Sequence, residues 1–235
     1  MATLLKPRRL PKAAAPAPAT LPPEQSWPGA WASPDFRGRL GLVGLGLLGL
    51  LEAAPRYFHF IQSRPGRLLA DPLLSLLPVH DESTLTFGLI YGSIGATLAF
   101  LLPRPQLLLR AFWAYFILQL LRMFTLWLLP LDPPLALVAL HDPVVDHLFA
   151  VTTQPVVRDL FFSGHTATMA LLALAVRGRR WRWPLAVLTG AVGTLVLVQR
   201  VHYSYDVLAA PLFAWLAYWL AEQVARHRPP YKYFS

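Results

Sequence analysis

The sequence predicts an all-α fold, a polytopic membrane protein built as a bundle of six transmembrane helices with both termini cytoplasmic. Three observations carry this expectation. Of 235 residues, 55% are hydrophobic and only 14% are charged, whereas about a quarter of an ordinary soluble domain is charged. The apolar residues run in long blocks rather than alternating, and mean hydropathy is +0.45, the pattern of membrane spans. Lysine and arginine gather at every second turn, which orients those spans.

Composition also excludes some chemistry. There is no cysteine, which removes disulfides and thiolate metal sites. A net charge of +9 would suggest nucleic acid in a soluble chain. Here positive-inside topology accounts for it, and no nucleic-acid partner is expected.

Residues 1–35 read as a separate cytoplasmic tail. Eight of the 23 prolines fall there, with Ala-Pro repeats and the basic set Lys6, Arg8, Arg9 and Lys12. Such a run cannot bury a core and is expected to be disordered. Its start resembles a signal peptide, but prolines stand where the apolar stretch would be, so no cleavage is expected. Residues 36–226 form the membrane domain and 227–235 a short cytoplasmic tail.

Six spans fill the membrane domain. The first runs from Arg39 to Phe60, is rich in glycine, and reads as interrupted near Glu52 and Pro55. The second, Leu85 to Leu102, is uncharged and contains Gly88-x-x-x-Gly92, a spacing that permits close helix contact. Leu107 to Leu129 makes the third and carries Arg110 and Arg122. The short fourth, Ser163 to Val176, has a candidate upstream extension in Leu160-Phe161-Phe162. Trp183 to Val201 and Val207 to Glu222 complete the set. Each approaches the roughly 20 residues that cross a hydrocarbon layer.

The tail to Arg39 has six basic residues against two acids, and the turn Arg177, Arg179, Arg180, Arg182 has four against none. From Glu222 onward there are three against one. The opposite turns are acidic: three basic against four from Glu52 to Glu82, and Arg158 alone against Asp132, Asp142, Asp146 and Asp159. The termini and the basic turns are therefore expected in the cytoplasm. Trp27, Trp31, Trp181 and Trp183 flank spans as interfacial anchors. Arg110 lies near the cytoplasmic end of its span, where it is expected to snorkel.

This orientation brings two histidines to one face. His165 opens span four on the non-cytoplasmic side, and His202 follows span five as it emerges there. Asp206 lies four residues beyond His202, the spacing of neighbours on one helix face. A carboxylate so placed holds an imidazole Nδ1–H and leaves Nε2 free as a nucleophile. Ser163 is a good N-cap, and Gly164 lets a ligand approach the backbone closely. The opening amides of span four would then face a phosphoryl group, with His165 suited to general acid work.

Ser163-Gly164-His165 and His202-x-x-x-Asp206 resemble the signatures of the type 2 phosphatidic acid phosphatase superfamily. Asp159-x-x-Phe162-Ser163-Gly164-His165-Thr166 and His202-Tyr203-Ser204-x-Asp206-Val207 are more similar to the third and fourth motifs of its sphingomyelin synthase branch. Arg122-x-x-Thr125 followed by Leu129-Pro130 resembles a shortened second motif, and Pro78-x-x-Asp81 a faint first. The resemblance implies His202 as nucleophile, Asp206 as its orienting partner and His165 as acid/base, with no metal or other cofactor. It implies a membrane phospholipid donor whose phosphorylated head group passes to a lipid alcohol such as ceramide or diacylglycerol, or to water. The charge bias places the site on the periplasmic, extracellular or lumenal face.

The chain also departs from the family. Val157-Arg158 replaces Cys-Gly before the motif aspartate, and Val196 stands where the phosphatases carry an arginine. The only lysines are Lys6, Lys12 and Lys232, so the phosphatases' lysine-plus-arginine clamp is absent. Phosphate charge falls to Arg122, Arg158 or Arg200, and Ser163, Gly164, Asp159 and Tyr203 are the other expected substrate-binding residues. A head-group transferase or phospholipase C-like reading is favoured over a monoester phosphatase, and a catalytically silent lipid-binding scaffold is the other class. Arg122 reads equally as a phosphate ligand or as half of an ion pair with Asp159 or Glu52, since a charge at that depth seeks a cavity or a partner. Asp159 reads as a helix-end charge or as a support for the site. His141, Asp142, Asp146 and His147 could ligate a divalent ion, but a solvated loop is the preferred reading.

Overall fold

A computed structural model of the chain describes residues 26–142 and 156–225. These form helices α1 (Trp27–Ala32), α2 (Pro34–Ser63), α3 (Pro72–Leu76), α4 (Ser83–Leu101), α5 (Pro105–Leu128), α6 (Gly164–Ala175), α7 (Arg179–Val198) and α8 (Ser204–Ala225). Among the described residues there is no strand beyond one isolated bridge, Arg67 with Leu131. The fold is all-α, and α2, α4, α5, α7 and α8 are long and apolar enough to cross a membrane. At 12 residues, α6 spans only about 18 Å by helical rise.

Successive long helices alternate in direction, so the bundle has two ends. One collects the described parts of the segments between α2 and α4, between α5 and α6, and between α7 and α8, joined by Arg67 N–H to Pro130 O, His141 N–H to Ser83 Oγ and Val138 N–H to Gln199 O; it holds both histidines. The other collects α1 and the α4–α5 and α6–α7 turns. Residues 27–35, expected in the tail, instead form α1 and the start of α2, with Ser26 and Ser33 as N-caps. Trp27 Nε1 donates to the Leu102 carbonyl at 2.6 Å, fixing α1 to the end of α4. Residues 1–25 lie outside the described residues.

The core is built where α5, α6 and α8 meet. Ala210, Ala214, Ala217 and Ala221 on α8 are fully buried, a helical stripe of small side chains that admits close backbone approach. Against it lie Leu109, Trp113, Ala114 and Leu118 of α5 and Ala167, Ala170 and Leu171 of α6. The long helix α2 is peripheral and touches α5 through Gly46, where a Cβ would stand 2.8 Å from the Phe116 ring.

Three expectations are corrected. Glu52 and Pro55 do not interrupt the first span, because Pro55 is accommodated inside the continuous helix α2. Gly88 and Gly92 do not serve a helix contact, since nothing lies within 4 Å of a Cβ at either. Nor is α6 extended by residues 160–162. Phe161 and Phe162 both take positive φ, 80° and 63°, a conformation costly for side chains of this size. Tertiary packing holds them there: the Phe162 ring stacks on Phe213 of α8 at 4.4 Å, and Phe161 meets Phe213 edge-on at 6.0 Å.

Candidate active site

His165 and His202 come together from separate elements. His165 is the second residue of α6, whose N-cap Ser163 accepts from Thr166 N–H at 3.3 Å. His202 sits in the turn between α7 and α8. That turn is a Schellman-type ending: Arg200 N–H donates to Leu197 O at 2.9 Å and Val201 N–H to Val196 O at 3.2 Å. The left-handed position, usually glycine, is Arg200 at φ 54°. The two imidazole centroids are 6.3 Å apart, with planes inclined by 62°. Both rings line one cavity of about 210 Å³, together with Phe87, Leu140, Val157, Asp159 and Val201.

Asp206 meets His202 as expected, with Oδ2 at 3.3 Å from Nδ1, but the reason differs from a shared helix face. His202 precedes α8, and the contact is made across the helix start. The same carboxylate oxygen accepts Tyr203 N–H at 3.1 Å, the reach-back of a capping-box residue. Asp206 is fully buried, and its main-chain carbonyl accepts Ser163 N–H at 3.1 Å. One residue thereby joins both histidine-bearing segments. At Gly193 of α7, a Cβ would stand 2.8 Å from Val207 Cγ1 and 3.6 Å from Thr166 Cγ2, so glycine there lets three helices converge beneath the site.

Arg122 resolves toward the ion pair. It is buried, its Nη2 contacts Asp159 Oδ2, and its Nη1 donates to Phe162 O at 3.2 Å. The guanidinium lies against Gly164, where any Cβ would collide with it. Ser163, Gly164, Arg122 and Asp159 therefore form one unit behind His165. Asp159 Oδ1, His165 Nδ1 and Asp206 Oδ1 are buried with no hydrogen-bond partner among the described residues. Orphaned polar atoms are uncommon in folded proteins, and three of them cluster around this cavity.

Arg158, Arg200 and Tyr203, expected to meet substrate, are committed elsewhere. Arg158 Nε binds Asp132 Oδ1 at 2.8 Å, and its Nη1 donates to Gln62 O at 2.5 Å. Arg200 donates to the carbonyls of Leu135 at 3.3 Å and Leu74 at 3.2 Å. Tyr203 is buried, donates to Asp132 O at 2.9 Å and accepts Leu69 N–H at 3.2 Å; burial pushes its phenol up. These side chains brace the site from outside rather than line it.

Three further residues, outside the motifs, build the site. Asp71 accepts Leu73 N–H at 3.1 Å through one oxygen and Ser204 N–H at 2.6 Å through the other, tying α3 to the head of α8. Gln199 is fully buried and donates to Asp81 Oδ1 at 3.1 Å and Ser83 Oγ at 3.0 Å. Hydrogen bonds from Ser83 hold the Asp81 carboxyl below its ordinary value. Phe87 packs edge-on against His165 at 5.7 Å. An Asp before the proline of α3 is a legible cap signal; the other two have none. Of the candidate metal set, His141 and Asp142 are described and Tyr91 Oη donates to Asp142 at 2.7 Å, while Asp146 and His147 lie outside the described residues.

The family model for the PAP2 superfamily C-terminal region covers residues 158–223, a stretch that contains both histidines, Asp159 and Asp206. No curated protein and no solved structure matches the chain. Members of that superfamily are phosphatases and phosphotransferases. The chain is thus similar to the PAP2 superfamily over residues 158–223, the stretch that carries both motif histidines, within a bundle whose apolar helices suit a multi-pass membrane protein.

Proposed function

We propose that this chain cleaves a lipid phosphoester through a phosphohistidine and passes the phosphorylated head group to a lipid alcohol or to water, in the manner of the sphingomyelin synthase branch. The observation that carries this reading is the pair of imidazoles 6.3 Å apart on one cavity, with Asp206 on Nδ1 of His202. His202 Nε2 attacks phosphorus, the P–N bond forms and the P–O bond to the donor breaks. His165 gives its proton to the departing alkoxide. An acceptor hydroxyl then loses its proton to His165 and attacks phosphorus, and the P–N bond breaks. Both histidines end as they began, and such proton transfer is worth about 10²–10⁴ in rate. The basic turns support a cavity facing the periplasmic, extracellular or lumenal side.

Local charge favours a diester. Among the described residues no lysine or arginine lines the cavity, and Arg122 is already matched by Asp159. A phosphodiester brings one negative charge, whereas a monoester brings nearly two. The second reading, a monoester phosphatase, would need charge that the site supplies only if Arg122 is released.

The test is a substrate panel with purified protein and its His202→Ala variant. Labelled phosphatidylcholine, phosphatidylethanolamine and phosphatidic acid are each supplied with and without ceramide or diacylglycerol. Turnover of a diester lipid, lost in the variant, is expected. Inorganic phosphate released only from phosphatidic acid would make the protein a monoester phosphatase, and no turnover of any lipid would leave a lipid-binding scaffold.

A further inference from the structure

The end of the bundle away from the histidines carries unbalanced positive charge. Among the described residues its acids are Asp35 and Glu222, which pair with Arg39 at 2.9 Å and Arg110 at 3.3 Å. Arg104, Arg177, Arg179, Arg180 and Arg182 have no acidic partner among the described residues. Four of them crowd the α6–α7 turn, and Arg179 and Arg182 line a cavity of about 430 Å³ with Gly178, Trp183 and Ala186. Gly178 makes the turn at φ 88°, with no side chain over the cavity mouth.

Two contacts organise this cradle. Arg182 Nε donates to Val176 O at 3.0 Å, which fixes the guanidinium at the end of α6. The Arg179 guanidinium lies 5.5 Å from the Trp183 ring centroid, within cation–π range. Trp183 and Val187 are 57% and 66% exposed. With Ala186 and Gly190 they continue one face of α7 toward the middle of the bundle, and nothing lies within 4 Å of a Cβ at Gly190. A cationic head and an open apolar strip therefore adjoin in the order of a lipid's phosphate and acyl chain.

We propose that the α6–α7 turn is a binding site for an anionic phospholipid of the leaflet opposite the histidine cavity. Its phosphate sits between Arg179 and Arg182, and one acyl chain runs along Trp183 and Val187. Free phosphate shares the head chemistry but would leave the apolar strip unused. Each arginine near an anionic surface contributes enough that two give roughly a 30-fold preference over a zwitterionic lipid.

The full chain is reconstituted in phosphatidylcholine nanodiscs holding trace photoreactive phosphatidylglycerol or photoreactive phosphatidylcholine. Cross-links are mapped by peptide mass spectrometry. The expected result is roughly 30-fold more labelling of residues 177–190 by the anionic analogue. Unlabelled phosphatidylglycerol should compete, and excess inorganic phosphate should not. Arg179→Gln/Arg182→Gln should fall to the zwitterionic level, while Arg56→Gln, which removes an exposed charge elsewhere, should not. Equal labelling by both lipids, competition by inorganic phosphate, or labelling concentrated elsewhere would overturn the proposal. The wild-type competition decides the matter even if the double variant does not fold.

Discussion

The guanidinium of Arg122 occupies the space into which a side chain at Gly164 would grow. Both of its terminal nitrogens are tied, Nη1 to Phe162 O and Nη2 to Asp159, so it cannot swing aside freely. Glycine in the Ser-Gly-His motif thus has a structural duty here. It lets a buried cation from α5 reach the head of the helix that carries His165.

Gly164→Ala is therefore expected to cost about 1–3 kcal/mol, the usual penalty for overpacking. Arg122→Ala should cost roughly 3–5 kcal/mol by leaving Asp159 without its cation. In the double variant the alanine at 164 meets an empty space, so its cost should largely vanish. Thermal unfolding of all four proteins gives the coupling directly. Additive penalties would mean that the two residues do not share this space.

Asp206→Asn separates orientation from capping. An amide oxygen can still accept Tyr203 N–H, so folding should be retained. The negative charge opposite His202 Nδ1 is lost, and lipid turnover should fall by about 10²–10⁴. Asp206→Ala should lose the same activity and a further ~1 kcal/mol of stability with the cap. Unchanged turnover in Asp206→Asn would remove the carboxylate from the mechanism.

These residues mark how far the sequence could be read. Long apolar blocks located α2, α4, α5, α7 and α8 because burial of backbone polar groups leaves a membrane segment little choice but helix. The His165–His202–Asp206 set was legible because motif spacing survives in one dimension. Residues 160–162 were not, since their left-handed turn is enforced by Phe213, some 50 positions downstream. Arg158, Arg200 and Tyr203 lie beside the motifs in sequence yet reach outward to Gln62, Leu74, Leu135 and Asp132. Nearness in sequence does not give the direction of a side chain.

Asp159→Asn tests the charge argument for a diester. The variant keeps the shape of the pair but frees one positive charge beside the cavity. A monoester dianion gains more from that charge than a diester monoanion. Turnover of phosphatidic acid relative to phosphatidylcholine should rise about tenfold, the worth of one hydrogen bond to a charged group. A ratio that stays fixed would show that Arg122 does not sense the substrate.

Arg200 holds the turn that delivers His202 and does so in a backbone conformation suited to glycine. At φ 54° a non-glycine residue is strained by roughly 1–2 kcal/mol. The side chain offsets this through its bonds to Leu74 O and Leu135 O. Arg200→Ala keeps the strain and loses the bonds, whereas Arg200→Gly loses the bonds and relieves the strain. Both variants should be less stable than wild type, with glycine the better by about 1 kcal/mol. Because the turn sets the position of His202, kcat should fall in both while KM changes less. Equal stability of the two variants would show that the backbone at 200 relaxes once the arginine is gone, and that its side chain, not its conformation, fixes the turn.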